Sequence, residues 1–304
     1  MEMRQALCEC LDEMMAENEN IVVIDADLAK PNGTFPLRKK YPERAIDVGI
    51  AEQNMASVAA GMSSYGFIPF ITSFTPFASR RICDQIAISI AYAKQNVKII
   101  GSDPGISAEF NGGTHMSMED IGVLRSIPEL VIYEPVDVAQ FKQALPQIVA
   151  YEGPVYIRMF RKTIDDVFTD ANYKFDLFGA DCIQEGTAVT IFCSGIMVNE
   201  ILKQEGIDAE IINIHTIKPI DRDAVVASAK KTGAVVVAEN HNVIGGLTSA
   251  VCEVLMEEYP VPLRAVGVKD RFGQVGKMPF LKEEYHMTAK DIVSAVKEVI
   301  RLNK

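Results

Sequence analysis

Several side chains that could take part in chemistry stand at the ends of apolar stretches. Glu52 precedes a stretch, residues 53–66, that is small, largely apolar and uncharged. The other candidates are Asp25 with Asp27, Phe74 with Phe77, the polar loop 102–115, and Arg158 with Arg161. Loops at strand ends are where α/β proteins bind ligands. Aromatic rings there offer a flat apolar surface, and arginines could bind a small anion.

Each of these residues also has a purely structural interpretation. An acid at a helix start is stabilised by the helix dipole, and aromatic residues are common in protein cores. Gly112 and Gly113 suit a tight turn because glycine adopts positive φ easily. Arg161 could be a solvated charge. Residue types alone leave both interpretations open.

Composition and motifs exclude several classes of protein. The net charge of −11 and the pI near 5.0 oppose binding to nucleic acid, which normally requires a basic face. We find no apolar run of about 18 residues and no signal-peptide pattern, so we predict a cytoplasmic location without a membrane partner. The sequence lacks GxGxxG, GxxxxGKS/T, GxSxG and HExxH motifs, and we predict no metal ligands in this chain.

The apolar pattern predicts strands that alternate with helices along the whole chain. The predicted strands cover residues 21–28, 67–74, 96–103, 130–135, 154–160, 188–195, 209–217, 234–240 and 262–268. The predicted helices cover residues 3–17, 51–65, 78–95, 137–151, a segment ending near Gln204, 221–232, 246–258 and 288–302. Because the strands are continuous apolar runs between helices, they indicate parallel sheets covered on both faces.

These elements predict an α/β fold with two doubly wound domains. The first covers residues 1–165 and the second, smaller one covers residues 187–304. Residues 166–186 are polar and without periodicity, which is typical of a linker. In the second domain, His241 and the pair Gly245 and Gly246 follow a predicted strand, where an interface and a simple turn are equally consistent with the pattern.

Six segments carry a further pattern along nearly the whole chain. They are IDVGIAEQNMASVAAGMSSYG (46–66), ITSFTPFASRRICDQI (71–86), residues 100–137, GPVYIRMFRK (153–162), ENHNVIGGLTSAVCEVL (239–255) and VGVKDRFGQVG (266–276). In this order they resemble the C-terminal half of transketolase, and the last two resemble the C-terminal domain of bacterial split transketolases. The resemblance implies the pyrimidine-binding domain of the thiamine-diphosphate fold, followed by a smaller transketolase C-terminal domain.

The resemblance implies a catalytic role for Glu52. In this family a carboxyl group hydrogen-bonds to the pyrimidine ring of thiamine diphosphate and favours the imino form, which removes the thiazolium proton. We therefore expect Glu52 to be buried, among residues such as Ile50, Met55 and Val58. His115 matches a second catalytic position, near the substrate hydroxyls.

The same resemblance implies the remaining site residues. Phe74 and Phe77 match positions that pack on the aminopyrimidine, and Arg80 matches a cofactor-pocket position held by tyrosine or arginine. The substrate-binding positions implied are Arg4, Asp27, Asp103, Asn111, His115 and Arg161, with Arg4 and Arg161 holding a terminal phosphate.

Two departures from the family pattern bear on the substrate. Asn111 replaces an aspartate that accepts hydrogen bonds from the donor, and an amide can also donate. Asp103 replaces a common phosphate-binding histidine, and its charge would repel an anionic group unless it is offset. A non-phosphorylated, branched or sulfonated sugar is therefore a hypothesis beside the usual sugar phosphates.

A missing motif implies a partner. The family holds the diphosphate through magnesium on a GDG motif, which this sequence lacks. We expect a separate N-terminal transketolase subunit to carry that site, in a complex with two copies of each chain. The implied activity is transfer of a two-carbon ketol unit from a ketose to an aldose. The alternatives are half of a deoxyxylulose-phosphate synthase or a noncatalytic partner of the diphosphate-binding subunit.

Overall fold

The chain divides into two compact units in a computed structural model that describes residues 1–203 and 206–303. The first unit contains Met1–Pro104 and Val123–Leu177. The second contains Gly105–Gly122 and the residues from Phe178 onward. The predicted boundaries 1–165, 166–186 and 187–304 stay a prediction, and the compact units differ from them in placing Gly105–Gly122 with the second unit.

A parallel sheet forms the centre of the first unit. Its strands lie in the order β5, β6, β4, β3, β1, β2, and every neighbouring pair is parallel. The strands are β1 (Ile21–Asp25), β2 (Ala45–Asp47), β3 (Ile68–Phe74), β4 (Lys98–Ser102), β5 (Val131–Tyr133) and β6 (Val155–Met159). Residues of β1, β4, β5 and β6 are buried throughout. This burial on both faces explains why their sequences are mostly apolar and do not alternate with polar residues.

Helices surround this sheet. They are α1 (Met3–Glu17), α2 (Ala29–Asn32), α3 (Phe35–Lys40), α4 (Glu52–Ser63) and α6 (Val138–Ala150). The short helix α5 (Asp120–Leu124) contains the point where the chain passes between the units. Helix α1 buries Leu7 and Leu11 on one face, as their spacing predicts.

The second unit contains another mostly parallel sheet. Its strands lie in the order β12, β11, β8, β9, β7, and only the edge strand β7 is antiparallel to its neighbour among the described pairs. The strands are β7 (Asp181–Gln184), β8 (Val189–Cys193), β9 (Ala209–Asn213), β11 (Val235–Asn242) and β12 (Leu263–Val268). A short strand β10 spans Thr216–Lys218. The helices are α7 (Ile196–Ile201), α8 (Arg222–Thr232), α9 (Leu247–Glu258), α10 (Met278–Glu284) and α11 (Ala289–Leu302).

One predicted helix is wrong in type. Residues 78–95 form a 3₁₀ turn at Arg80–Ile82 and a π-helix at Gln85–Tyr92 instead of one amphipathic α-helix. In the turn after β3, Ser79 Oγ donates to the Thr75 carbonyl at 2.6 Å. The end predicted near Gln204 lies outside the described residues. Among the described residues, every helix is too short or too polar to cross a lipid bilayer.

The predicted linker is structured in part. Asp137 Oδ2 accepts hydrogen bonds from the backbone N–H groups of Val167 and Phe168, both at 2.7 Å. Gln147 Nε2 donates to the Phe175 carbonyl at 2.7 Å. These contacts attach the first part of the linker to α6, because buried backbone groups need partners.

Candidate active site

Most of the candidate residues in the first unit follow the carboxyl ends of its strands. Phe74 ends β3, Asp103 follows β4, and Arg161 follows β6 by two residues. Because these three strands are parallel neighbours, their carboxyl ends lie at one edge of the sheet. The sequence therefore brings an aromatic ring, an acid and a base together at the usual ligand-binding edge.

Glu52 is buried at the N-terminus of α4. The residue is 5% exposed, and Arg81 Nη1 donates to Glu52 Oε1 at 2.6 Å. The Arg81 side chain is 43% exposed, so the partner of this buried acid reaches solvent. Within the described residues, Arg81 is the one side chain that forms a hydrogen bond or ion pair with Glu52. The helix N-terminus also favours a negative charge here.

The residues predicted to surround Glu52 differ in their own burial. Met55 is fully buried and Val58 is half-buried, as expected. Ile50 is 77% exposed, so the prediction that it helps to bury Glu52 within this chain is wrong. Ile50 lies in a bend two residues before the start of α4, and its side chain is exposed on the surface of the first unit.

Phe74 and Phe77 form an aromatic pair that carries an arginine at each end. Their ring centroids are 6.3 Å apart at an interplanar angle of 45°. Arg81 Cζ lies 3.8 Å from the Phe77 centroid, and Arg161 Cζ lies 5.1 Å from the Phe74 centroid. Both distances are within cation–π range. We call the resulting series the site strip, which consists of Glu52, Arg81, Phe77, Phe74, Arg161 and Asp103.

Asp103 and Arg161 form an ion pair at the end of the site strip. Arg161 Nε donates to Asp103 Oδ2. Asp103 is 1% exposed, and its Oδ1 has no hydrogen-bond donor among the described residues. Burial raises the pKa of the Asp103 carboxyl above its ordinary value, although Arg161 acts to lower it. The acceptor capacity of this carboxyl is thus only partly used.

Arg4 converges with Arg161 on one backbone carbonyl. Arg161 Nη1 donates to the Pro31 carbonyl at 3.1 Å, and Arg4 Nη1 donates to the same oxygen at 3.4 Å. Arg4 also lines a cavity of about 840 Å³ together with Lys30. The two guanidinium groups form a local cationic site, whose positive charge is reduced because Arg4 Nε pairs with Glu2 Oε2 at 2.7 Å. Their remaining N–H groups suit an oxyanion.

Other acids and bases at this sheet edge differ from the site strip. Asp27 is exposed, has a φ of 61°, and donates its backbone N–H to Asp47 Oδ1 at 3.0 Å. Asp25 pairs with Arg38, and Arg158 Nη1 donates to Glu134 Oε1 at 2.5 Å. Asp25 and Arg158 are buried in these pairs. Their geometry is that of structural ion pairs.

Asn111 and His115 lie in Gly105–Gly122, the segment that belongs to the second unit. Asn111 is exposed. His115 is half-buried, and its Nδ1 is 2.8 Å from Thr114 Oγ1. The structure therefore brings Glu52, Phe74, Phe77, Asp103, Arg161 and Arg4 together in one unit, and it places Asn111 and His115 in the other.

The structure adds one residue that the sequence analysis missed. Arg80, the predicted cofactor-pocket arginine, is exposed. Its neighbour Arg81 instead contacts both Glu52 and Phe77. The sequence offered two adjacent arginines here and no local pattern to show which of them contacts the aromatic pair.

One cluster of potential metal ligands lies in the second unit. Cys182, Glu185 and Glu210 have ligand atoms within 4.8 Å of one another. Lys231 Nζ donates to both carboxylates, at 2.7 Å in the case of Glu210. An ammonium group therefore already pairs with both acids and offsets part of their charge, and the cluster carries no argument for a metal site.

The chain is similar to transketolases over both units. Residues 1–165 match the family described as transketolase, pyrimidine binding domain, and residues 179–292 match transketolase, C-terminal domain. The chain is 52% identical to the 6-deoxy-6-sulfo-D-fructose transketolase subunit SqwH of Clostridium sp. (strain MSTE9), over 98% of this chain and 94% of that protein.

Two further comparisons bear on the same point. The 1-deoxy-D-xylulose-5-phosphate synthase of Heliobacterium modesticaldum (strain ATCC 51547 / Ice1) is 31% identical over 97% of this chain and 46% of that protein. A solved split gene transketolase, described as an inactive beta4 tetramer, has a TM-score of 0.89 and 42% identity, over 100% of this chain and 99% of that one. These matches confirm the resemblance and the fold class predicted from the sequence.

Proposed function

The chain belongs to the transketolase family, and on this premise we propose that it is one subunit of a two-chain transketolase acting on a sulfonated ketose. The reaction is transfer of a two-carbon ketol unit from the ketose to an aldose acceptor. The observation that carries the proposal is the site strip, where a buried acid, an aromatic pair and Arg161 follow one another at a single sheet edge. Arg161 also belongs to the cationic site that it forms with Arg4.

The site strip fits the pyrimidine end of thiamine diphosphate, the cofactor of this family. Phe74 and Phe77 offer flat apolar rings, and Glu52 is a buried carboxyl with one displaceable partner. When bound, the cofactor supplies the nucleophilic carbon that the chemistry requires. We assign Glu52 to hold and return a proton at the pyrimidine ring, and Arg81 to orient the Glu52 carboxylate. Arg80 stays a predicted cofactor contact.

The cationic site gives the reason for a sulfonated substrate. Arg4 and Arg161 converge on Pro31, but Asp103 neutralises much of the Arg161 charge. A phosphate monoester carries about −1.5 to −2 charges near pH 7, whereas a sulfonate carries a single charge. The reduced positive charge suits the monoanion better. The relative with 52% identity is a 6-deoxy-6-sulfo-D-fructose transketolase subunit, which supports the same choice.

Three predicted substrate contacts complete the assignment. Asn111 and His115 would bind the sugar hydroxyls, since an amide and an imidazole can both donate and accept hydrogen bonds. Asp27 is exposed near the end of β1 and would contact the substrate from the same sheet edge as the site strip. We assign no redox or metal chemistry to these side chains.

We propose that a separate N-terminal subunit covers the site strip and holds the diphosphate through magnesium. Exposed apolar residues lie just before and just after α4 and on the π-helix that contacts α4, which supports such a partner. They are Ile50, Tyr65, Ile88 and Tyr92, exposed by 77%, 87%, 57% and 83%. Apolar groups in this number favour burial against another chain. Two copies of each chain and a cytoplasmic location stay predictions.

Reconstitution tests the proposed function. The purified chain and its N-terminal partner are mixed with thiamine diphosphate and magnesium, and donor cleavage is measured on a sulfonated ketose, ketose phosphates and branched sugars. We expect the highest kcat/KM with the sulfonated ketose. Deoxyxylulose phosphate formed from pyruvate and glyceraldehyde phosphate would instead establish the synthase alternative, and binding of the partner without turnover on any donor would establish a noncatalytic role.

A matched variant tests the choice of substrate. Asp103→Asn removes the carboxylate that offsets Arg161 and keeps the side-chain size. We expect the ratio of kcat/KM for a ketose phosphate to that for the sulfonated ketose to rise several-fold, because the cationic site gains net positive charge. An unchanged ratio would contradict the role of Asp103 in selecting the anion.

A further inference from the structure

The carboxyl end of β11 contacts the 105–122 loop at three points within the second unit. Asn240 Oδ1 accepts a hydrogen bond from the Ile106 backbone N–H at 3.0 Å. The Asn242 backbone N–H donates to the Met118 carbonyl at 2.7 Å, and the Gly122 N–H donates to His241 Nε2 at 3.3 Å. The contacts therefore lie near both ends of the loop.

Glycines allow the 105–122 loop to approach the carboxyl end of β11 closely. Gly105 has a φ of 55°, and a Cβ there would lie 2.3 Å from Asn240 Oδ1. Gly245 has a φ of 80°, and a Cβ there would lie 2.8 Å from Gly122 Cα. The Gly105 N–H also donates to the Ser117 carbonyl at 3.0 Å and closes the loop on itself. Any side chain at Gly105 or Gly245 would separate the loop from β11.

The fully buried His241 imidazole forms hydrogen bonds both to the loop and to the end of β11. His241 is 0% exposed, and its Nδ1 is 2.5 Å from the Asn242 carbonyl oxygen. Since Nε2 accepts from Gly122, this network assigns the proton to Nδ1, which donates to Asn242. Asp120 Oδ1 lies 3.9 Å from Nε2, and Glu239 Oε2 lies 3.8 Å from Nδ1. One nitrogen thus holds the loop and the other holds the strand end.

We propose that Asn240 and His241 are positioning residues that fix the conformation of the 105–122 loop and so orient Asn111 and His115 for the sugar. The C-terminal domain then contributes to substrate binding without touching the substrate. The substrate part of this inference rests on the proposed function. The contacts that hold the loop do not.

Two isosteric variants of His241 separate the two nitrogens. His241→Asn keeps a donor near the Nδ1 position and loses the acceptor that reaches Gly122. His241→Gln places an oxygen acceptor near the Nε2 position and keeps the bond to the loop. A lost hydrogen bond corresponds to about 2- to 10-fold in an equilibrium constant. We expect amide hydrogen exchange in the 105–122 loop of the full chain to accelerate by that factor in His241→Asn and to return toward wild type in His241→Gln.

The reconstituted complex gives the second measurement. We expect KM for the ketose donor to rise several-fold in His241→Asn with a smaller change in kcat, and His241→Gln to restore it. Unchanged exchange in His241→Asn would overturn the positioning role. Accelerated exchange with an unchanged KM would overturn its connection to the substrate. If the wild-type complex transfers no two-carbon unit, the proposed function fails, while the exchange measurement still decides whether β11 holds the loop.

A second pair of variants covers the case in which His241→Asn does not fold. Asn240→Ala removes the acceptor for the Ile106 N–H, and Asn240→Asp retains it. We expect faster amide exchange in the 105–122 loop and a higher KM for the ketose donor in Asn240→Ala than in Asn240→Asp. Equal exchange in these two variants would overturn the proposal.

Discussion

Glu52 and Glu239 both place a buried carboxylate at the N-terminus of a helix, yet their surroundings differ. Glu52 is the first residue of α4, whereas Glu239 lies in β11 and its side chain reaches the start of α9. Glu239 accepts hydrogen bonds from the backbone N–H groups of Leu247 and Thr248 and from Thr248 Oγ1. Glu52 pairs with Arg81, whose side chain is 43% exposed. A carboxylate bound by several fixed donors stabilises the helix start. A buried carboxylate with one solvent-reaching partner can exchange that partner for a ligand.

The same contrast holds for the two sheet edges. At the edge of the first unit, Asp103 keeps an oxygen without a donor among the described residues, and Arg81 reaches solvent. At the end of β11, His241 bonds on both ring nitrogens to neighbouring backbone groups. Partly satisfied polar groups indicate where a ligand binds, and fully satisfied ones indicate where a fold is held.

Glu52→Gln is expected to have the largest effect. The amide keeps the shape of the side chain but cannot hold and return a proton. General acid–base groups contribute about 10²- to 10⁴-fold, and we expect donor cleavage in the reconstituted complex to fall within that range. Affinity for the partner subunit, measured by calorimetry, should stay at the wild-type value. Retained donor cleavage would remove Glu52 from the mechanism.

Glu239→Gln should act on stability instead. The variant loses charge-assisted hydrogen bonds to the start of α9, so the free energy of unfolding is expected to fall by about 2 kcal/mol. Urea unfolding monitored by circular dichroism measures this change. Activity per folded molecule should fall far less than in Glu52→Gln. If Glu239→Gln lost more activity than Glu52→Gln and kept the wild-type stability, Glu239 would be the functional carboxylate and the comparison would be wrong.

Arg81→Gln tests whether the ion pair of Glu52 matters for activity. The variant removes the guanidinium that orients Glu52 and lies on Phe77. We expect kcat/KM to fall about 10-fold, equivalent to about 1.4 kcal/mol of transition-state stabilisation. Arg271→Gln is the matched control, because Arg271 also pairs with a glutamate and its side chain is 47% exposed. Equal activities of the two variants would contradict an orienting role for Arg81.

The smallest expected effect on stability is a change in its pH dependence in Asp103→Asn, apart from the effect of this variant on the choice of substrate. The pKa of Asp103 is raised by burial, so the folded state holds this proton more tightly than the unfolded state. The stability contributed by the protonated form is complete below the unfolded pKa and is lost as pH rises through the folded pKa. We expect the free energy of unfolding to fall less steeply above pH 4 in the variant than in wild type. Parallel urea titrations from pH 4 to 7 measure this difference, and identical slopes would contradict it.

Much of the fold follows from the sequence because its strands are buried on both faces. The mostly apolar sequences of β1, β4 and β6 predict strands, and each prediction is confirmed within a few residues. The helix predicted over 78–95 is wrong in type because apolar spacing does not distinguish α from π turns. Strand β7 was missed, since a half-exposed edge strand of four residues has a weak pattern.

The sequence predicts the site residues that follow strand ends. It does not predict contacts between side chains that are far apart in the sequence. Phe74 and Asp103 follow strands, so their common edge follows from the parallel pattern. The pair of Glu52 and Arg81 joins residues 29 positions apart, which no local pattern specifies. The assignment of the 105–122 loop to the second unit depends on contacts such as that of Asn240 with Ile106, 134 positions away.

The close approach of Gly122 to Gly245 limits how this enzyme could be re-engineered. A chimera that grafts a foreign 105–122 loop onto this chain, to recruit another sugar, would keep a host β11 turn shaped for the original loop. The foreign loop would either clash with this turn or leave a gap beside it. A successful graft would therefore have to exchange the loop together with residues 239–246. These two segments are far apart in the sequence, but they must be replaced at the same time.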